Sequence, residues 1–220
     1  FKNVPYDPLD DFTHIALAVT TPTVLVVNSK FPARTLGEFL AHARANPGKL
    51  NFATSGNGSS AHLVGELLML EAGIKMVHVP YRGAGPAMND VLANQVPMMF
   101  DSLGSSSARI HSGDLHPLGI SATQRHRGFP DLPTFAEQGL PRVLSTSWFG
   151  VSGPKGLPPS VREKLAGALT RILQMPDAQR RFSELESEPC DLTNDRFAAF
   201  IKSEAKRWAS EIQRTGIKLE

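Results

Sequence analysis

Residues 51–70, NFATSGNGSSAHLVGELLML, decide the fold of this chain. The mostly apolar run 50–53 predicts a short strand, and residues 54–60 predict a turn of glycines and small polar residues. Apolar residues at helical spacing follow, so we expect a helix whose apolar face is Leu63, Leu67 and Leu70. The segment therefore predicts a strand, a turn and a helix of an α/β protein.

The turn within this segment has the chemistry of an anion site. A glycine-rich turn that leads into a helix presents free backbone N–H groups and the positive end of the helix dipole. Hydroxyl groups add further donors, and the candidate ligand residues are Thr54, Ser55, Gly56, Gly58, Ser59 and Ser60. The alternative is that the turn only redirects the chain and that Ser59 or Ser60 caps the helix.

Nucleotide phosphates fit this turn less well than a carboxylate does. A P-loop needs the spacing G-x-x-x-x-G-K-[ST], whereas Gly56 and Gly58 are too close together and no Lys follows. A dinucleotide fold expects an acidic residue after the next strand, and the chain there reads Val79-Pro80-Tyr81-Arg82.

Composition excludes several other classes. The 220 residues are 41% hydrophobic and 20% charged, and the net charge of +2 comes from intermixed residues without the basic stripe that nucleic-acid binding needs. The single cysteine, Cys190, excludes an internal disulfide. We find no metal-ligand spacing, no nucleophile elbow and no apolar run near the roughly 20 residues of a membrane span, so no catalytic residue, metal or cofactor is expected.

Strands alternate with helices from the predicted strand 17–27 to the predicted strand 115–121, which predicts a parallel sheet covered on both faces. Ligands of such sheets bind at the carboxyl ends of the strands. Two further loops follow predicted strands and add Tyr81, Gly83 and Asp101 to the candidate site. The alternatives are that Tyr81 covers the surface and that Asp101 is a helix N-cap. Separately, Thr35 and Glu38 have the spacing of a capping box that opens a helix.

Motifs along the whole chain resemble the substrate-binding proteins of tripartite tricarboxylate transporters, the Bug-type periplasmic receptors. The motifs are Pro5-Tyr6-Asp7-Pro8 with Asp11-Phe12, Asn46-Pro47-Gly48-Lys49-Leu50, Ser55 to Leu63, His78 to Gly83, Met99-Phe100-Asp101, Thr146-Ser147-Trp148-Phe149-Gly150 and the helix Phe197 to Trp208.

The resemblance implies a type II periplasmic-binding-protein-like fold of two α/β lobes joined by crossing strands, here 17–27 and 144–151. Residues 23–146 would form the middle lobe, and residues 1–22 with 147–220 the terminal lobe. It implies a receptor, not an enzyme, that holds a small organic anion (a di- or tricarboxylate, an amino acid or an aromatic acid) with help from Ser147 and Trp148. It also implies a periplasmic location after removal of a signal peptide, and transporter membrane subunits as partners.

Family members carry a further segment before Pro5, with a loop that clasps the ligand's carboxylate. The resemblance therefore implies that the terminal lobe of this chain is incomplete and lacks its N-terminal βαβ region. Strands without their neighbours expose apolar edges, so we expect this lobe to self-associate or to be poorly ordered.

Two other functions use comparable architecture: an enzyme acting on a carboxylate, with Ser59, His111 and Asp101 as an imagined triad, and the effector-sensing domain of a regulator. Turnover would identify the first, and a DNA-binding domain in the parent gene the second.

Overall fold

The computed structural model describes residues 5–217, which form two compact units. The central unit is Pro22–Ser147, and the terminal unit is the chain up to Thr21 together with the chain from Trp148 onward. Two strands, β1 (Phe12–Asn28) and β6 (Thr146–Pro154), each cross a boundary between the units.

The central unit alternates helices and strands around one sheet. After β1 its elements are α1 (Leu36–Ala45), β2 (Asn51–Thr54), α2 (Ser60–Ala72), β3 (Val77–Pro80), α3 (Ala84–Leu92), β4 (Met98–Ser102), α4 (Leu103–His111) and β5 (Leu115–Ser121). The strand order is β3-β2-β4-β1-β5.

The sheet is mixed, and the expectation of a parallel sheet is wrong for β1. Strand β2 runs parallel to β3 and β4, whereas β1 is antiparallel to both of its neighbours, β4 and β5. A helix connects β1 to β2 as in a parallel unit, yet β4 lies between them. The alternation of helices and strands carries no information on the direction of a strand whose sheet neighbours are distant in sequence.

Strand β1 supplies the centre of the core on both faces of the sheet. Its side chains alternate, so that Leu25 and Val27 join one buried apolar cluster and Val24 and Val26 join the other. A strand with apolar neighbours on both faces reads as a continuous hydrophobic run, which explains the composition of residues 24–27.

Helix α2 buries one of the three residues of its expected apolar face. Leu67 is buried, whereas Leu63 is partly exposed and Leu70 is 43% exposed, and the other buried residues include Ala61, Val64 and Leu68. The sequence has apolar residues at helical spacing on both faces, and the close approach of Phe52 selects one of them. A Cβ atom on Gly65 would lie 2.6 Å from the Phe52 ring, so that only glycine fits there without a shift.

The terminal unit contains the first half of β1 and the chain after Ser147. Its further elements are α5 (Pro159–Gln174), α6 (Pro176–Glu184), β7 (Glu188–Pro189) and α7 (Asn194–Thr215), and both β6 and β7 pair with β1. Its buried apolar residues form two clusters, one of Leu17, Phe197 and Ile201 and one of Ile15, Ala16 and Ala166. Across residues 5–217, none of the helices has both the length and the apolar character of a membrane span.

Candidate anion-binding site

The three candidate segments lie at the same edge of the central sheet. Strands β3, β2 and β4 are parallel neighbours, so the loops that follow Pro80 and Thr54 meet the start of α4, which follows Ser102 without the predicted loop. Two backbone hydrogen bonds join the first two loops: Tyr81 donates its N–H to the Thr54 carbonyl at 3.1 Å, and Gly83 donates to the Ser55 carbonyl at 3.1 Å. The sheet therefore brings the predicted loops together.

Hydrogen bonds of Thr54 fix the conformation of the first half of the turn. Thr54 is fully buried, and its Oγ1 accepts the Gly56 amide at 3.2 Å and lies 2.6 Å from Nε2 of His78. Gly56 has φ 139° and Gly58 has φ 73°, conformations that favour glycine. The Thr54 hydroxyl thus shapes the turn and is already engaged.

Ser59 is the N-cap of α2. Its Oγ accepts the backbone N–H of His62 at 3.2 Å and donates to the Gly56 carbonyl at 2.8 Å. The capping alternative is therefore correct for Ser59, whose hydroxyl is engaged by the helix and the turn.

The turn does not engage the backbone N–H groups of Ser60 and Ala61, the first two residues of α2. Among residues 5–217 no acceptor contacts their backbone N–H groups, whereas the Gly58 amide donates to Nδ1 of His62 at 3.2 Å. Two adjacent amides at the N-terminus of a 13-residue helix form the positive end of its dipole. The turn thus contains both a helix cap and two backbone donors without an acceptor among residues 5–217.

Ser147 reaches this helix terminus from the other end of the central unit. Its Oγ lies 2.8 Å from Oγ of Ser60, and both residues are only partly buried. Either hydroxyl can be the donor, so the pair can reorient towards an acceptor. The candidate residues on β6 are Ser147 and Trp148. Of these, Ser147 belongs to the central unit and contacts Ser60 at the end of the turn.

Tyr81 does not offer its hydroxyl to the site, because that group donates to Oδ2 of Asp90 at 2.7 Å. Burial, together with the Asp90 carboxylate, raises the pKa of Tyr81 to about 12. Its ring packs on the core cluster that includes Val24 and Met99. Gly83 adopts φ 110° at the N-cap of α3.

Asp101 lies on β4 and is not the N-cap of α4, so that alternative is wrong. The N-cap is Ser102, whose Oγ accepts the Ser105 amide at 3.4 Å. The Asp101 carboxyl is buried and accepts the Ser106 hydroxyl at 2.9 Å. Burial raises its pKa, and hydrogen bonds from Ser105 and Ser106 act in the opposite direction. Asp101 therefore combines a buried carboxyl with a serine-rich helix start.

Trp148 belongs to the terminal unit. Its ring meets Phe197 and Phe200 edge to face, with centroids 5.9 Å and 5.6 Å apart. These contacts place Trp148 beside the buried cluster of α7.

Two histidines that contact the turn were not among the site residues predicted from the sequence. His62 and His78 stack with ring centroids 3.9 Å apart and planes 10° from parallel. Burial lowers the pKa of His78 to about 4, with a further decrease from His62 and an opposing effect from Glu66. The sequence signal for the contact between Gly58 and His62 was the four-residue spacing of these two residues.

No three His, Cys, Asp or Glu side chains within residues 5–217 are grouped closely enough to hold a metal ion. The candidate site consists of neutral donors, namely amides and hydroxyls, next to one buried carboxyl.

The central sheet contains an antiparallel strand, β1, and the strands β1 and β6 continue from one unit into the other. These features are those of the type II periplasmic-binding-protein-like folds. The chain belongs to the tripartite tricarboxylate transporter family receptor (TctC) family, whose model matches residues 1–217.

Individual relatives agree with this assignment. A UPF0065 protein from the tcbD-tcbE intergenic region of Pseudomonas sp. strain P51 is 39% identical over 209 residues, which are 94% of this chain and 62% of the relative. The R. palustris protein Rpa4515, solved with adipate, is 28% identical with a TM-score of 0.93, over 99% of this chain and 73% of that protein. MatC from Rhodopseudomonas palustris, solved with bound malate, is 28% identical with a TM-score of 0.86, over 96% and 73%. The chain thus spans about 62% of the length of the Pseudomonas relative.

Proposed function

We propose that this chain is the ligand-binding part of a periplasmic receptor that captures a small organic carboxylate and delivers it to the membrane subunits of a tripartite tricarboxylate-type transporter. The observation that carries the proposal is the pair of amides at Ser60 and Ala61, which have no acceptor among residues 5–217. The similar proteins that contain adipate and malate support carboxylates as the ligand class.

One carboxylate of the ligand accepts hydrogen bonds from the Ser60 and Ala61 amides at the positive end of α2. The Ser60 and Ser147 hydroxyls, now bonded to each other, turn towards the same carboxylate. Backbone and hydroxyl donors satisfy a carboxylate without a fixed cation. Tyr81 and Gly83 shape the neighbouring wall, and Asp101 with Ser106 supplies a polar group for the remainder of the ligand.

Binding without chemistry fits the engagement of the nucleophile and base candidates. The Ser59 hydroxyl is held by the helix cap, the Asp101 carboxyl accepts the Ser106 hydroxyl, and the His111 ring stacks on Phe129 with centroids 4.9 Å apart. Nδ1 of His62, on the same helix start as Ser59, accepts the Gly58 amide. A triad needs its serine and histidine within hydrogen-bond reach of one another, and the nearby hydroxyl-to-histidine contact is that of the buried Thr54 with His78. These contacts support a receptor over a hydrolase.

A pair of variants at residue 60 tests the site. Ser59 has φ −66° and ψ 157°, the extended conformation that a residue before proline prefers, so Ser60→Pro removes the amide while the helix still starts there. Ser60→Ala removes the hydroxyl and keeps the amide. Thermal shift is measured against a panel of acids that includes adipate and malate.

The parent protein is expected to gain melting temperature with increasing concentration of at least one acid. Ser60→Ala keeps part of the gain, and Ser60→Pro loses roughly 10- to 100-fold in affinity, the value of one or more charge-assisted hydrogen bonds. Equal affinities for the parent and Ser60→Pro would remove the amide site from consideration.

We further propose that segments 1–22 and 147–220 form one lobe of the receptor and residues 23–146 the other. Trp148 then belongs to the lobe other than that of the turn, and its role as a ligand residue stays a prediction. Trp148 and Trp208 are the two tryptophans of the chain. A ligand-dependent change of fluorescence in a Trp208→Phe background would support the role of Trp148, and an unchanged spectrum at saturating ligand would refute it.

Self-association through the terminal unit also stays a prediction. On β6, Phe149 is 57% exposed and Val151 is 39% exposed, which gives an apolar strand face. We expect sedimentation to show a concentration-dependent dimer that Phe149→Lys weakens. A monomer at all concentrations would contradict it.

A further inference from the structure

The stacked pair His62 and His78 contacts both ends of the anion-binding turn. His78 reaches Oγ1 of Thr54, the first residue of the turn, at 2.6 Å, and His62 accepts the amide of Gly58 at 3.2 Å. The two rings lie face to face with centroids 3.9 Å apart. Two side chains that also contact each other therefore hold the turn at Thr54, before Gly56, and at Gly58, after it.

The contacts of His62 determine its tautomer. A backbone N–H is always a donor, so the Gly58 bond requires Nδ1 of His62 to be without a proton. The proton of the neutral ring is then on Nε2, which lies 3.4 Å from Oε1 of Glu66, one helical turn further along α2. Glu66 thus orients the ring in the way that a carboxylate orients a metal-binding or catalytic histidine.

His62 also accepts a hydrogen bond from the residue that precedes the helix N-cap. Its backbone N–H donates to the N-cap Ser59, while its side chain accepts from Gly58, the residue before the N-cap. In a capping box a Glu or Gln at this third helical position performs a similar reciprocal function. Because these bonds take up the Gly58 and His62 amides, those of Ser60 and Ala61 remain for a ligand.

We propose that His62, oriented by Glu66 and stacked on His78, is the positioning residue of the turn 54–60. It fixes the Gly58 amide and thereby the direction of the Ser60 and Ala61 amides. The consequence for ligand affinity rests on the proposed function, whereas the fixing of Gly58 does not.

Charged and titratable groups face His62 from two elements. Glu66 lies on the same helix, one turn further along, and His78 on β3 stacks on the ring. The side of β2 contributes the neutral groups Phe52, which contacts the His78 ring, and Thr54.

Two substitutions at residue 62 separate the acceptor from the remaining functions of the side chain. In His62→Asn the amide oxygen occupies the place of Nδ1 and can accept from Gly58. In His62→Gln the polar group moves out to the place of Nε2, near Glu66, and the Gly58 acceptor is lost. Both variants keep the Ser59 cap, since that bond uses the backbone of residue 62.

The main measurement is the Gly58 amide resonance of the ligand-free protein by ¹H–¹⁵N NMR at pH 7. We expect a hydrogen-bonded resonance in the parent, its rescue in His62→Asn and its loss in His62→Gln. Succinate is then titrated as a carboxylate probe while the Ser60 and Ala61 amides are observed. We expect His62→Gln to bind succinate up to about tenfold more weakly than His62→Asn, the effect of one neutral hydrogen bond.

A Gly58 resonance that is the same in His62→Gln and in the parent overturns the inference, whatever succinate does. So does equal succinate affinity of the Gln and Asn variants when the parent binds it. If succinate moves neither amide in the parent while the Gly58 pattern is as expected, the positioning of the turn stands and the result counts against the proposed anion site.

Discussion

The hydroxyl oxygens of Ser60 and Ser147 lie 2.8 Å apart although 87 residues separate them in the chain. Ser60 opens α2 and Ser147 is the last residue of the central unit, on β6. The bond joins the start of α2 to the strand that leaves this unit.

This bond predicts energetic coupling between the two serines. A half-buried hydrogen bond between neutral groups contributes about 0.5–1.5 kcal/mol. We expect Ser60→Ala and Ser147→Ala each to lower the free energy of unfolding, and the double variant to lose less than the sum, with a coupling of about 0.5–1 kcal/mol. Urea denaturation of the four proteins measures it. Strict additivity would show that the contact contributes nothing to stability in solution.

Gly65 and Gly167 predict opposite effects of the same substitution. At Gly65 a Cβ atom would lie 2.6 Å from the buried Phe52 ring, and at Gly167 on α5 the nearest atom would be 3.6 Å away, at the flexible end of Arg171. Gly65→Ala is expected to cost about 1–3 kcal/mol through overpacking. Gly167→Ala should stabilise by about 0.5–1 kcal/mol through helix propensity. Calorimetry tests the signs, and a stabilising Gly65→Ala would mean that α2 is free to move off the sheet.

Asp101 predicts a pH-dependent change in stability. Burial raises its pKa in the folded protein, so the stability present below the unfolded pKa is lost as pH rises through the folded value. Asp101→Asn can still accept the Ser106 hydroxyl and carries no charge. We expect this variant to melt above the parent at pH 7, with the difference vanishing in acid.

The matched change for Asp101 is Ser106→Ala, which removes a hydrogen bond that opposes the rise in pKa. It should destabilise the protein more at pH 7 than in acid. An Asp101→Asn advantage that is the same at every pH would rule out the carboxylate charge as its cause.

His78 predicts a second pH dependence, opposite in sign to that of Asp101. Its folded pKa of about 4 lies below the ordinary 6.5, so its contribution to stability is complete above 6.5 and is lost as the pH falls towards 4. We expect His78→Gln, which places an amide near Thr54 and does not titrate, to show a smaller loss of unfolding free energy between pH 7 and pH 5. Urea denaturation is the measurement, and His111→Gln on the exposed end of α4 is the control. Parallel losses in the parent and His78→Gln would exclude His78 as the source.

Local features of the fold were predictable from neighbouring residues. The capping box of Thr35 and Glu38 is confirmed, because Glu38 donates its amide to Thr35 and accepts the Thr35 amide in return. Strand β5 has the predicted bounds 115–121, and Ser59 caps α2. These features depend on hydrogen bonds and conformations within a few residues, which the type and spacing of residues determine.

The candidate site was predictable as a set of loops but not as a set of contacts. Spacing indicated that the turn 54–60 and the loop at Tyr81 follow neighbouring strands, and the structure joins them by backbone bonds. It did not indicate that the Tyr81 hydroxyl is taken by Asp90, since nothing in the sequence shows which donor a carboxylate receives.

By itself the sequence determined the alternation of strands and helices, the capped start of α2 and, through its motifs, the receptor family. Tertiary structure decided the antiparallel direction of β1, the face of α2 that meets Phe52, and the stacking of His62 on His78. The physical reason is the distance along the sequence between the residues that interact. Caps and turns are stabilised by bonds between near neighbours, whereas strand direction and ring stacking depend on which distant surfaces bury each other, and several arrangements satisfy the same local pattern.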